Sequence, residues 1–293
     1  MAISAEAKII FSENKMEQMK RLLLSIAIYF VTSSCSTEQS QWIAIGDSIT
    51  YLNEHKDETG NRVNKGYLTR VVEKLHHIKY INKGYNGWMA VDIAKKIETL
   101  DLFSADIYSV MLGTNDWWHE TPLGTFEDYK NDTGTNTFFG SYRVIVNKLR
   151  ALNKNARIIL MTPIPRGDFV QIGNLKNNAH GSYKEKNGQL LSQFAEAVAI
   201  ISKYEKIEFI DLWNHSGITH ENIVKYKRLK DPQTGTYKNY SYPEYVAIPF
   251  NPETDEYPYP PDAIGTTCDA LHTSDSGNAI IAKRIIDVIN NLN

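Results

Sequence analysis

From residue 42 onward, short apolar runs alternate with longer stretches whose apolar positions recur at helical spacing. The runs at 42–45, 79–82, 107–112, 157–162 and 207–212 read as strands. Helical patterns lie between them near 66–77, 89–100, 141–152 and 183–203, and a last one near 276–290. In the first, Leu68, Val71, Val72 and Leu75 repeat at helical intervals; the last carries Ile281, Ile285, Val288 and Ile289 on one side. Strand and helix in alternation predict an α/β fold, with a central five-stranded parallel sheet covered on both faces and joined by right-handed crossovers. Five strands suit a flavodoxin-like order, 2-1-3-4-5, in which ligands bind beyond the strands' carboxyl ends.

Two stretches break the alternation. Residues 117–140 read as a long polar-aromatic loop. Residues 215–268 form a longer insertion rich in tyrosine and proline. A structureless loop of that length is unusual in a folded domain. It is expected either to serve as a lid or wall for the site or to cover a sheet edge. With no internal repeat and no linker rich in Pro, Gly or Ser, residues 42–293 are expected to form a single domain.

The amino-terminal part reads as an address. Lys15, Lys20 and Arg21 precede an apolar run at 22–31, too short to span a bilayer but suited to a signal segment. Thr32, Ser33 and Ser34 lead into Cys35, as at a bacterial lipoprotein cleavage site, although Thr32 and Ser34 depart from the residues usual there. The expectation is therefore a signal segment over 1–35, a lipidated Cys35, a tether at 36–41, and a chain exported to the bacterial envelope. Translation is expected to start at Met16 or Met19. With Cys35 acylated, Cys268, the only other cysteine, needs no partner.

A net charge of −2 gives no reason to expect nucleic acid as partner, and leaves a membrane as partner only through the lipid. No glycine-rich phosphate loop and no Cys/His cluster with zinc spacing is present, so neither cofactor nor metal is expected.

Gly46-Asp47-Ser48-Ile49-Thr50 follows directly on the first strand, placing Ser48 on the turn that ends it. A serine nucleophile needs a base, a carboxylate to orient that base, and hydrogen-bond donors for the oxyanion. The second strand runs into Asn82-Lys83-Gly84-Tyr85-Asn86-Gly87, which can present a backbone N–H. The third runs into Gly113-Thr114-Asn115-Asp116, which can present a side-chain amide. Two of the eight histidines stand three residues after an aspartate: His119 after Asp116, and His272 after Asp269. Either could be the base, although His119 shares a loop with Asn115. His55, His180, His215 and His220 show no paired spacing and read as surface residues. Trp117 and Trp118 could stack on a sugar ring, with at least one expected in packing.

These segments, in this order, resemble the blocks of the SGNH, or GDSL, hydrolase family: Gly46-Asp47-Ser48-Ile49 the first, residues 82–87 the second, Gly113-Thr114-Asn115-Asp116 the third and Asp269-Ala270-Leu271-His272 the fifth. The resemblance implies a flavodoxin-like three-layer sandwich and metal-free ester hydrolysis. It favours His272 over His119, with Ser48 as nucleophile, His272 as base and Asp269 as orienter. The oxyanion hole it implies comprises the N–H of Ser48, the N–H of Gly87 (with Gly84 as second choice) and the amide of Asn115. The expected substrate is a small-molecule or glycan ester, with acetyl on carbohydrate the favoured case. Lysophospholipase or acyl-thioesterase activity is the rival, and a catalytically silent carbohydrate-binding surface protein is a third reading.

Overall fold

The computed structural model describes residues 16–20 and 39–290. Cys35, the signal segment apart from residues 16–20, and tether residues 36–38 lie outside the described residues. Residues 16–20 form a short helical stretch with exposed side chains.

Nine strands follow within 39–290: β1 (Ser40–Gly46), β2 (Ile78–Gly84), β3 (Ile107–Met111), β4 (Arg157–Met161), β5 (Phe169–Gln171), β6 (Asn174–Ala179), β7 (Glu208–Ile210), β8 (Lys227–Lys230) and β9 (Tyr237–Tyr240). Five of them make the central sheet in the order β2-β1-β3-β4-β7, every pair parallel. This is the order expected of a flavodoxin-like α/β fold. Ser40 and Gln41, assigned to the tether by sequence, already pair with Ile78 and Lys79, so the domain begins earlier than its apolar run.

The edge strands β2 and β7 are only partly buried, while the central strands β1, β3 and β4 are buried on both faces, which is why they read as nearly continuous apolar runs. Period-two alternation divides them: Trp42 and Ala44 pack with Tyr67, Leu68, Ile281 and Ile285, while Ile43 and Ile45 pack with Ile93, Ile145, Phe194 and Val198. The first group lies under helices Tyr67–Val72 and Asp275–Asn290, the second under Ala90–Lys96, Phe138–Leu152 and Leu191–Glu205. Trp42 Nε1 donates to Ser109 Oγ at 2.9 Å, pairing two buried polar groups within the sheet.

The register aligns the strands' carboxyl ends. Gly46 pairs with Gly84 on one side and Met111 on the other, so the loops after β2, β1 and β3 leave the sheet side by side. Glycine at 84 is a packing requirement: a Cβ there would lie 2.3 Å from the backbone nitrogen of Tyr51, in the turn that carries Ser48.

Several expectations needed correction. Residues 117–140 are not an extended loop: Phe126–Lys130 is helical, with Thr125 and Asp128 capping it reciprocally, and the next helix already begins at Phe138. The fourth helical pattern starts at Leu191 instead of 183, because Asn187 and Gly188 take left-handed backbone angles (φ 49° and 73°) that a helix cannot continue through. The polar hairpin β5–β6 was not foreseen at all. The 215–268 insertion contains the β8–β9 hairpin, and its aromatics pack onto the first core group, Tyr245 and Tyr259 being fully buried.

Candidate active site

Asp47 follows β1 and caps the four-residue helix Ser48–Tyr51, its Oδ1 accepting the Ile49 N–H at 2.9 Å. That turn holds Ser48 at the first helical position, where its own N–H has no acceptor within the helix. The second participant comes from the far end of the chain. Thr267 and Thr273 pair across a tight loop, and the Cys268 N–H donates to the His272 carbonyl at 2.8 Å. Inside the loop Ala270 takes a φ of +70°, a conformation that an L-residue holds only when its surroundings demand it. Here the Gly167 N–H, donated to the Ala270 carbonyl at 2.8 Å, helps to fix it.

This bend turns Asp269 back on its own loop. Its Oδ1 accepts the N–H groups of Leu271 (3.0 Å) and His272 (2.7 Å), leaving Oδ2 to accept from Nδ1 of the His272 ring at 2.7 Å. A carboxylate can only accept, so Nδ1 carries the proton and Nε2 is free to accept one. Nε2 lies 2.9 Å from Ser48 Oγ. Residues 224 positions apart thus form one line, carboxylate to imidazole to hydroxyl, in the geometry that general-base activation of a nucleophile requires.

The electrostatics favour a basic imidazole. Burial, the largest influence, lowers the His272 pKa, but the charge and hydrogen bond of Asp269, with Asp47 behind, outweigh it and hold the value above the ordinary 6.5. Arg166 pulls the other way. Burial also pushes the Asp47 carboxyl up to about 6 and that of Asp116 to about 7.

The two other loops are braced to each other. Asn115 Nδ2 donates one hydrogen to the Trp88 carbonyl at 3.0 Å, which sets the amide plane and leaves its second N–H unspent. Asp116, fully buried, accepts the Ala90 N–H on both carboxylate oxygens at 3.0 Å. These bonds tie the Asn115 loop to the turn containing Gly87, whose φ of +76° suits glycine and whose missing side chain leaves open space. Asp116 is therefore committed to the backbone. His119 stands exposed at the rim, bonded to neither Asp116 nor Ser48. The structure separates the two histidines that the sequence left open, and His272 is the one at Ser48.

Ser48, Gly87, Asn115, Asp269 and His272 all line one cavity of about 280 Å³. Gly84 is not among its lining residues. The remaining walls are mixed: Glu58, Thr59, Asn86, Gln171 and Asn177 are polar, while Leu52, Trp118, Phe169, Ile172, Ala179 and Leu271 are apolar. Phe169 meets the His272 ring edge-on at 5.4 Å. Trp117 is buried, its Nε1 bonded to the Gln189 carbonyl at 2.9 Å, and only Trp118 reaches the cavity.

Sequence reasoning missed two contributors: Arg166, and the β5–β6 hairpin with Phe169 at its start. Arg166 follows β4, so the rule that sites form beyond strand carboxyl ends would have flagged it. Two histidines assigned to the surface are also built in. His180 packs edge-on to both Trp117 and Trp118, and His220 Nε2 lies 2.9 Å from Ser182 Oγ. None of residues 215–268 lines this cavity, so the insertion is cover and backing for the sheet, and β5–β6 is the wall.

Comparison with known proteins agrees with this architecture. The sequence model of the GDSL-like lipase/acylhydrolase family matches residues 44–280. Among solved structures, a possible lipase from Chitinophaga pinensis DSM 2588 is 56% identical, with a TM-score of 0.86 over 87% of this chain and 99% of that one. A protein from Lactobacillus plantarum shares the fold at 17% identity and TM-score 0.58, over 87% of this chain and 98% of the other. An acetyl-xylooligosaccharide esterase from Geobacillus stearothermophilus does so at 21% identity and TM-score 0.50, over 86% and 94%. No curated protein matches the chain.

Proposed function

Because the chain belongs to the GDSL-like lipase/acylhydrolase family, we propose that it hydrolyses carboxylic esters through an acyl-enzyme on Ser48. The observation that carries this reading is the hydrogen-bonded line from Asp269 to His272 to Ser48, at 2.7 and 2.9 Å.

His272 Nε2 takes the hydroxyl proton as Ser48 Oγ bonds to the ester carbonyl carbon. The charge that gathers on the carbonyl oxygen is met by the N–H groups of Ser48 and Gly87 and by the Asn115 amide. The imidazolium, balanced by Asp269, returns the proton to the departing alcohol. Water then attacks the acyl-enzyme with the same base and releases the acid. Each oxyanion donor matters by about 10²–10³ in turnover, so Asn115→Ala is expected to lower kcat by that factor with KM little changed. Steady-state kinetics on 4-nitrophenyl acetate check it, and undiminished turnover removes Asn115 from the role.

A short acyl group on a polar, sugar-like body suits this cavity best. Glu58, Asn86, Gln171 and Asn177 offer hydrogen bonds to a sugar's hydroxyls, and Trp118 offers an aromatic surface to a sugar ring. The basic-then-apolar amino-terminal stretch fits the same reading, as the export signal of an envelope enzyme acting on extracellular glycans, with Cys35 as its lipid anchor. Release of acetate from acetylated oligosaccharides, measured beside long-chain acyl esters and thioesters, tests the substrate class. Preference for long chains points to lysophospholipase or thioesterase chemistry, and glycan binding without turnover to a silent binding protein.

A further inference from the structure

Arg166 is 1% exposed and lines the cavity with Ser48, and its Nε and Nη2 are buried without a hydrogen-bond partner. The two carboxylates whose fields it feels are already committed. Asp269 is bonded to His272 and two backbone N–H groups; Asp168 accepts from Lys227 Nζ (3.1 Å), the Gly181 N–H (2.8 Å) and the Tyr183 hydroxyl. The guanidinium lies over Trp118 at 5.1 Å and Trp117 at 5.6 Å, but indole faces accept none of its N–H groups in the plane of the fork. Its backbone is pinned: the Arg166 N–H donates to Ser182 Oγ at 3.1 Å, and the adjacent Gly167 N–H holds the Ala270 carbonyl of the catalytic loop. A fixed guanidinium that lines the same cavity as Ser48, with two nitrogens unpaired, is a recognition element awaiting an acceptor.

We infer that Arg166 determines substrate specificity by binding a carboxylate carried on the same molecule whose ester faces Ser48, which makes the preferred substrates short-chain acyl esters of acidic sugars, such as uronic acid units. This rests on the ester-hydrolase reading above and narrows it. A planar monoanion fits the guanidinium fork, whereas a phosphate dianion would crowd the nearby charges of Asp269 and Asp168.

The test compares an O-acetylated glucuronic acid glycoside with its methyl ester, which has the same shape without the charge. Wild type is expected to favour the acid by on the order of 10² in kcat/KM, mainly through KM; the ratio collapses to near one in Arg166→Gln and is partly kept in Arg166→Lys. Where the variants fail to fold, wild type alone decides. Glucuronate is expected to inhibit 4-nitrophenyl acetate hydrolysis competitively, at concentrations where acetate does not. Equal turnover of the acid and its methyl ester by wild type, or equal inhibition by acetate and glucuronate, overturns the assignment while leaving the esterase intact. Preference for a phosphorylated over a carboxylated sugar ester overturns it too. Absence of turnover on every ester, 4-nitrophenyl acetate included, instead sinks the underlying reading.

Discussion

Replacing Ser48 with alanine is expected to lower kcat on the order of 10⁶-fold while leaving the protein folded. The hydroxyl is a small part of the core, and its hydrogen bond to His272 Nε2 is worth about 1 kcal/mol to stability. What disappears is the bond-forming atom, so neither the base nor the oxyanion donors have a reaction to assist. His272→Ala is expected to cost nearly as much, and the double variant little more than either alone, because the two groups act as one unit. Active-site-titrated kinetics with a thermal melt of each variant check this. A Ser48→Ala enzyme that keeps more than a small fraction of wild-type turnover would place the nucleophile elsewhere.

The second large effect is expected from Asp269→Asn, about 10⁴-fold in kcat, and the hydrogen bonds around residue 269 explain it. Two backbone N–H groups, of Leu271 and His272, need an acceptor at the Oδ1 position. Asparagine meets that need only by turning its oxygen toward them, which leaves its NH₂ facing His272 Nδ1. The ring must then accept at Nδ1 and carry its proton on Nε2, the nitrogen that should take the proton of Ser48. The geometry survives while the tautomer is wrong. The pH profile shifts as well. In wild type the imidazole must be neutral to act, and its pKa is held above 6.5, so kcat/KM should fall as pH drops through a midpoint above that value. Removing the carboxylate leaves burial to dominate, and the midpoint should move down. The same raised pKa stabilises the folded state at pH below about 6.5, and that contribution is lost as pH rises through the folded value. A pH–rate series on both proteins checks the shift. An Asp269→Asn profile with an unmoved acid limb would mean that Asp269 does not set the base.

Much of this architecture was legible in the chain because its chemistry is carried by strand ends. The loops after β1, β2 and β3 hold Ser48, Gly87 and Asn115, and the candidate strands at 42–45, 79–82 and 107–112 located those loops within two residues. Asp269 and His272 were legible as a pair by their spacing. Their approach to Ser48 was not, since it depends on the bend at Ala270 and on the strand alignment Gly46–Gly84–Met111. Arg166 lies after Pro163 and Pro165 in a segment without helical or strand periodicity, so only its place beyond the carboxyl end of β4 marks it. The β5–β6 wall was hidden because Asn174–Ala179 is a strand of polar residues, four of them exposed, so no apolar alternation marks it. The insertion left two readings open, a lid or wall for the site and cover for a sheet edge. Tyr245 and Tyr259 are core residues, which fits the second, and the Tyr259 hydroxyl donates to the Asp168 carbonyl. A sequence reports that an aromatic wants burial, but not against which face.

The central claim is that the hydroxyl of Ser48 is the nucleophile activated by His272. Peptide mass spectrometry after treatment with a fluorophosphonate tests it most directly. One adduct per chain on Ser48 is expected, forming in step with loss of esterase activity and far more slowly in His272→Ala. Full inactivation with Ser48 unmodified, or labelling of Ser48 that leaves turnover intact, would contradict it.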